Sequence, residues 1–206
     1  QTAYLKTHFP EHFMSAALST ELGNTDKIYA LIQECKRMKI KVLSPNVTTS
    51  RKRFYVNKNA EIEYGLGAIK GVADSFIQHL CSIRNQKVFN DLWDFSKKVD
   101  IKLGGKKSLE ALSYSGAFDC IAPSRTIAIA SVEDMLKDGS STTAAIGNAT
   151  GDLFQDLNSK FDPYEKYQNI KEISQNKALE FEKEAFGFYF TGHPIQINES
   201  FYSSYR

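Results

Sequence analysis

No apolar run in this 206-residue sequence approaches the roughly 18 residues that a membrane span needs. No basic stretch followed by an apolar one opens the chain, so nothing suggests a signal peptide. Cysteine is scarce. Cys35, Cys81 and Cys120 are widely spaced, and their odd number excludes a fully paired disulfide set. Without a CxxC or a Cys/His cluster they do not suggest zinc either; the expectation is three buried thiols in a reducing cytoplasm. No Ser/His/Asp or Cys/His arrangement is readable, and neither a P-loop nor a dinucleotide fingerprint occurs; Gly65, Gly67 and Gly71 fit neither template. No carboxylates cluster, which tells against a nuclease or a ligase-type enzyme. An initial Met is also missing. The chain opens inside an apolar-periodic segment over residues 3–13 and reads as part of a longer protein.

What remains is an ordinary globular composition, 42% hydrophobic and 24% charged, enough for one large domain or two small ones. The formal net charge of +2 hides an uneven distribution. Residues 36–107 hold sixteen Lys/Arg against six Asp/Glu, a net of +10, between acidic ends of −2 and −6. Such a basic middle is the footprint of a polyanion-binding surface, or of a solvated face of scattered lysines.

Helical spacing dominates. Residues 3–19 carry apolar side chains at Leu5, Phe9, Phe13, Ala17 and Leu18, with a break at Pro10. The run Asn24-Thr25-Asp26 offers caps for a second helix whose inner face is Ile28, Leu31, Ile32, Cys35 and Met38. Residues 41–43 read as a short extended piece. Residues 54–56 and 61–64, separated by the turn-forming 57–60, read as a small β-hairpin. Residues 138–152 are small and polar and read as a mobile linker; a last helix is expected over about residues 170–188.

Two segments, 64–84 and 106–136, share a plan of helix, tight small-residue turn and helix. In the first, Ala68 and Ile69 pack a short helix and Gly71-Val72-Ala73 forms the turn. Asp74 or Ser75 would cap a helix with Phe76, Ile77, Leu80 and Ile83 inward. In the second, Lys106 and Lys107 precede Leu109, Leu112 and Tyr114, the turn is Gly116-Ala117-Phe118, and Pro123-Ser124-Arg125 opens the next helix. This is a helix-hairpin-helix pattern. It brings backbone amides and a helix N-terminus to the surface, where a DNA phosphate can lie against them without regard to base sequence. Lys70 is placed to add a charge. The residues expected to meet DNA are Lys70, Gly71, Val72, Lys106, Lys107, Gly116 and Arg125.

Other readings stand beside these. His8 and His12 with Glu11 between them could be a metal pair, but Pro10 intervenes and no third ligand is apparent. His79 reads as a surface or packing histidine and Trp93 as core. Arg51-Lys52-Arg53 beside Phe54 and Tyr55 could grip a phosphate and stack a base, or discourage aggregation as a basic strand edge.

Longer strings carry a resemblance. Tyr64-Gly-Leu-Gly-Ala-Ile-Lys-Gly71, Leu109-Glu-Ala-Leu-Ser-Tyr-Ser-Gly-Ala-Phe-Asp119 and Glu182-Lys-Glu-Ala-Phe-Gly-Phe-Tyr-Phe-Thr-Gly-His-Pro194 resemble the bacterial replicative DNA polymerase III alpha subunit. The opening Gln1-Thr-Ala-Tyr-Leu-Lys-Thr-His-Phe-Pro10 fits the same family, as do residues 24–27 and 34–38, all in the family's order. The resemblance implies a mainly α fold, a helical bundle with tandem helix-hairpin-helix motifs and one short β-hairpin. Residues 1–55 would end the fingers domain and 56–195 would be the region binding duplex DNA and the clamp. Residues 196–206 would start the connection to an OB-fold domain. It implies a DNA-directed DNA polymerase, a nucleotidyltransferase of the cytoplasm, whose palm and catalytic Mg2+ lie upstream, so no catalytic residue, metal or cofactor is expected here. Double-stranded DNA, the sliding clamp and other holoenzyme subunits are the implied partners, and no membrane.

Where the family carries a third glycine this chain has Ala73, whose Cβ would oppose a positive φ or a close phosphate approach. Where the family has a clamp-binding Gln-x-x-Leu-Phe, this chain has Thr150-Gly151-Asp152-Leu153-Phe154, and Asp152, Leu153 and Phe154 are the implied clamp contacts. Without the family, Leu153 and Phe154 read instead as staples of the linker onto the domain's own core. The rival role is a replisome interaction module that binds no DNA of its own.

Overall fold

A computed structural model describes residues 2–145 and 164–192. Nine α-helices are present among them: α1 (Thr2–His8), α2 (Pro10–Thr20), α3 (Thr25–Arg37), α4 (Asp74–Arg84), α5 (Leu92–Lys98), α6 (Gly105–Tyr114), α7 (Arg125–Ala130), α8 (Val132–Ala145) and α9 (Gln175–Phe186). Three two-residue strands, β1 (Val42–Leu43), β2 (Tyr55–Val56) and β3 (Ile62–Glu63), complete the mainly α fold.

Pro10 opens α2 at the position where its missing N–H costs nothing, which separates α1 from α2 as the sequence implied. Asn24 caps α3 by accepting from the Lys27 amide, and Lys36 and Arg37 sit at its negative end. The expected β-hairpin is there, β2 antiparallel to β3, but it is not isolated. The extended piece at β1 pairs parallel to β3, giving a three-stranded sheet of order β1-β3-β2. A two-stranded hairpin is marginal in water, and the third strand covers one edge of β3.

Several sequence expectations are corrected. Cys35 is buried, but Cys81 is half-buried and Cys120 exposed. Burial, aided by the Glu34 charge, pushes the Cys35 thiol up to about 11. Residues 138–145 of the expected linker are helical, because α8 continues to Ala145; residues 146–152 lie outside the described residues. The last helix is shorter than expected. Ser174 caps it, accepting from the Lys177 amide, and Gly187 ends it at φ +85°.

One hydrophobic cluster runs through the molecule, from Met14 and Leu18 on α2 through Ile32, Phe54, Tyr64, Phe76, Phe95, Leu112 and Phe118 to Phe186. Helix α5 packs on α8, and α6 touches α7, α8 and α9. Tyr64 gathers Phe54, Phe186 and Phe190 around its ring at 4.8 to 5.5 Å, which joins the sheet to the end of α9. No gap in this packing falls at residue 55. Among the described residues, no helix is long and apolar enough to cross a membrane.

Candidate nucleic-acid interface

The first hairpin begins with a single 3-10 turn, Leu66–Ala68, in place of the expected short helix. Its glycines serve close packing. A Cβ on Gly65 or Gly67 would come within 2.9 Å of the Lys52 carbonyl oxygen, and the Leu66 and Gly67 amides bond to the carbonyls of Arg51 and Lys52. The chain then turns at Gly71, φ +89°, and enters α4. Here another expectation fails. Neither Asp74 nor Ser75 caps α4; the capping position is Ala73, whose side chain accepts nothing. Ala73 has φ −72°, so the family's third glycine is not needed for backbone conformation at this position.

Leaving α4 uncapped has a consequence. Among the described residues, the amides of Gly71, Asp74, Ser75 and Phe76 have no acceptor. The first turn of a helix ordinarily leaves such donors to a side chain, to water or to a ligand. Those of Gly71, Asp74 and Ser75 lie at exposed residues, and that of Phe76 beneath them, at the positive end of an 11-residue helix, an arrangement suited to an anion. Asp74, on the same turn, would oppose an anion, but Lys52 Nζ holds its carboxylate at 2.7 Å.

Two cations flank the turn. Lys70 is exposed, its amide bonded to the Ala185 carbonyl and its ammonium lying against Gly187 at the C-terminus of α9. Lys107, from α6, lays its alkyl chain over Gly71, with Cε 3.1 Å from where a Cβ would stand. Lys70, Gly71 and Lys107 line one cleft of about 150 Å3 with Tyr114, Glu110 and Glu184.

The second hairpin is closed on itself. Its turn at Gly116, φ +75°, is buried, and the amides of Gly116, Ala117 and Asp119 bond to nearby carbonyls. A Cβ on Gly116 would meet Arg125 Nη2 at 2.2 Å. Arg125 pairs with Asp119 at 2.7 Å and reaches the buried Glu182 at 3.5 Å, so its charge is held inside the fold. Ser124 caps α7, as the sequence implied, by accepting from the Ile127 amide. Lys106 pairs with Glu133 at 2.8 Å, and this bond raises its pKa above the ordinary lysine value. The structure therefore brings Lys70, Gly71, Val72 and Lys107 together at one surface and sets Gly116 and Arg125 among internal partners, while Lys106 stays exposed in a surface ion pair with Glu133.

The described region over residues 39–128 matches the family model described as "Helix-hairpin-helix motif". Over 199 residues the chain is 42% identical to the DNA polymerase III subunit alpha of Pasteurella multocida (strain Pm70), an alignment covering 95% of this chain and 17% of that protein. The corresponding subunit of Pseudomonas aeruginosa is 37% identical over 217 residues, and that of Escherichia coli (strain K12) 38% over 199. The chain belongs to the DNA polymerase III alpha-subunit family. It spans about a sixth of the length of these relatives.

For this alpha-subunit segment the remaining candidates are placed as follows. Asp152, Leu153 and Phe154, with the rest of the clamp-motif position, lie outside the described residues, as does His193. His79 accepts from the Asp100 amide through Nε2 at 3.0 Å, tying α4 to the turn before α6. Arg51 lies 4.4 Å from the Tyr55 ring centre on the edge strand β2, and Arg53 is exposed. Trp93 is half-buried, with the Lys166 ammonium 5.8 Å from its ring. His8 ends α1 against Tyr4; among the described residues no three His, Cys, Asp or Glu side chains are grouped to hold a metal ion. Two contributors escaped the sequence. The unfilled capping position requires knowing where α4 starts. Ser108, buried beside the Gly71 turn, acts across a separation of 35 residues that no local pattern reports.

Proposed function

We propose that this segment holds duplex DNA by its phosphates within a bacterial replicative DNA polymerase acting on chromosomal DNA in the cytoplasm. The observation that carries the reading is the run of unpartnered amides on the Gly71 turn and the first turn of α4, between Lys70 and Lys107. A phosphate there would accept charge-assisted hydrogen bonds from the amides while the two ammonium groups neutralise it. Amides carry no base information, so the grip would let the duplex advance in any sequence. Lys106, Gly116 and Arg125 support this surface through the second hairpin.

In the whole enzyme, residues 1–55 would close the fingers, 56–195 would form the region that binds duplex and clamp, and 196–206 would lead toward an OB-fold domain. Polymerisation and its Mg2+ would belong to the palm elsewhere in the enzyme. Asp152, Leu153 and Phe154 would tether the enzyme to the sliding clamp, an apolar pair on a polar segment offering a short anchor for a partner's pocket. The experiment is a fluorescence-anisotropy titration of the 206-residue chain with labelled duplex and single strand across a salt series. Duplex preference without sequence preference, with log K falling linearly in log salt, is the expected result. Absence of duplex binding at low salt, or binding unaltered by joint replacement of Lys70 and Lys107 with Ala, overturns it and favours the interaction-module role.

A further inference from the structure

We propose that Ser108, on the first helix of the second hairpin, is the positioning residue that holds the first hairpin's turn open for a phosphate. The inference rests on the reading of that turn as the duplex contact. Ser108 is fully buried. Its hydroxyl donates to the Gly71 carbonyl at 3.2 Å and accepts from the Ala73 amide at 3.1 Å. A serine hydroxyl has one proton to give and lone pairs to receive, so one oxygen spans both sides of the turn.

The geometry explains why the two hairpins occur together. The Gly71 carbonyl is turned inward onto Ser108, so the Val72 amide, on the opposite side of the same peptide plane, points away from Ser108. The Ala73 amide, which would otherwise join the free donors, is taken up by Ser108, so those donors fall on either side of it. The site is tight: a Cβ on Gly104 would stand 2.8 Å from the Phe76 ring and 2.9 Å from Ser108 Cβ, so α6 and α4 approach as closely as glycine permits. Lys107, the preceding residue, covers Gly71 from outside. The second hairpin's own turn is satisfied internally. Its first helix thus acts as a brace, and phosphate contact is concentrated on the first hairpin.

Ser108 touches no phosphate in this scheme, so its loss lowers affinity without removing an ionic contact. Ser108→Ala is expected to weaken duplex binding about tenfold, the effect of one or two lost buried hydrogen bonds, with the salt slope unchanged. The control is Ser113→Ala on the same helix. Ser113 is also buried and bonds to the Leu109 and Ala128 carbonyls, away from the Gly71 turn. Thermal denaturation of both variants shows that binding is measured on folded protein. Retained duplex affinity in Ser113→Ala with loss in Ser108→Ala supports the proposal; equal loss in both, or none in Ser108→Ala, overturns it. Amide hydrogen exchange of the unaltered chain tests the same geometry without a variant. The Ala73 amide should be protected while that of Gly71 exchanges freely until duplex is added. An unprotected Ala73 amide overturns the proposal. If replacing Lys70 and Lys107 leaves duplex affinity unchanged, the interface itself is misplaced, whatever Ser108 does.

Discussion

At Gly71 a single hydrogen atom in place of a side chain serves two needs. The backbone has φ +89°, and the Lys107 chain occupies the space a Cβ would take. Gly71→Ala should therefore cost about 1–2 kcal/mol from the left-handed backbone alone. Urea denaturation would register this as a lower midpoint at unchanged m-value, and duplex affinity would fall with it because the turn must shift. A loss of binding with no loss of stability would place Gly71 in contact with DNA and not in conformational control. On α3, Glu34 shows a purely electrostatic effect. Hydrogen bonds from Arg37 and then Lys6 hold its carboxyl at about 2, below its ordinary 4.5. A carboxylate with a lowered folded pKa stabilises the fold above its unfolded pKa, and that contribution is lost as pH falls toward the folded value. Glu34→Gln should thus be less stable than the parent at neutral pH, the difference shrinking between about pH 4.5 and pH 2. A difference that stays constant over that window would exclude this origin.

The two hairpins look alike in sequence and differ as elements. Periodicity and turn residues revealed where they lie, because glycine at 71 and 116 and serine at 124 are local signals. What decides their roles is not local. The first helix enters through Ala73, which cannot cap, whereas the second enters through Ser124, which does. Arg125 reads in sequence as a free cation at a helix start. In the fold it closes over Gly116 onto Asp119 and Glu182, and Glu182 also accepts from the Phe190 and Thr191 amides. Part of this was legible, since Glu182 shares a helical face with Leu179 and Phe186, and an acid on a buried stripe needs a partner. Its partner, 57 positions back in the chain, was not. The consequence is a difference in kind between two substitutions. Arg125→Ala should destabilise the chain by about 1–3 kcal/mol, leaving a buried carboxylate short of a cation, and should leave the salt slope of duplex binding unchanged. Lys107→Ala should leave stability nearly unchanged and lower that slope by about 1. Thermal denaturation and binding in a salt series separate the two; a reduced slope in Arg125→Ala would mean that Arg125 opens to meet a phosphate.

On the scale of the whole molecule, the family resemblance implies a seam near residue 55 between the end of one polymerase domain and the start of another. The packing across that point is continuous. The parallel pairing of β1 with β3 ties residues 42–43 to 62–63. The Val47 amide bonds to the Ala117 carbonyl, and Arg84, at the end of α4, donates to the Val47 and Ser50 carbonyls. Each of these links joins residues before 55 to residues after it, and the core cluster that surrounds them includes Met14 and Ile32 together with Phe118 and Phe186. Separating the two parts would expose that shared core, so neither should unfold ahead of the other. Trp93, the one tryptophan, reports from α5, whereas far-ultraviolet circular dichroism reports all helices, α1 to α3 included. The two signals should follow one urea transition with the same midpoint and slope, as in a two-state system. A circular-dichroism change that precedes the Trp93 change would mean that the N-terminal helices come away first. The segment would then be two cooperative units meeting at the expected boundary, and the phosphate-binding turn would depend on only the second of them.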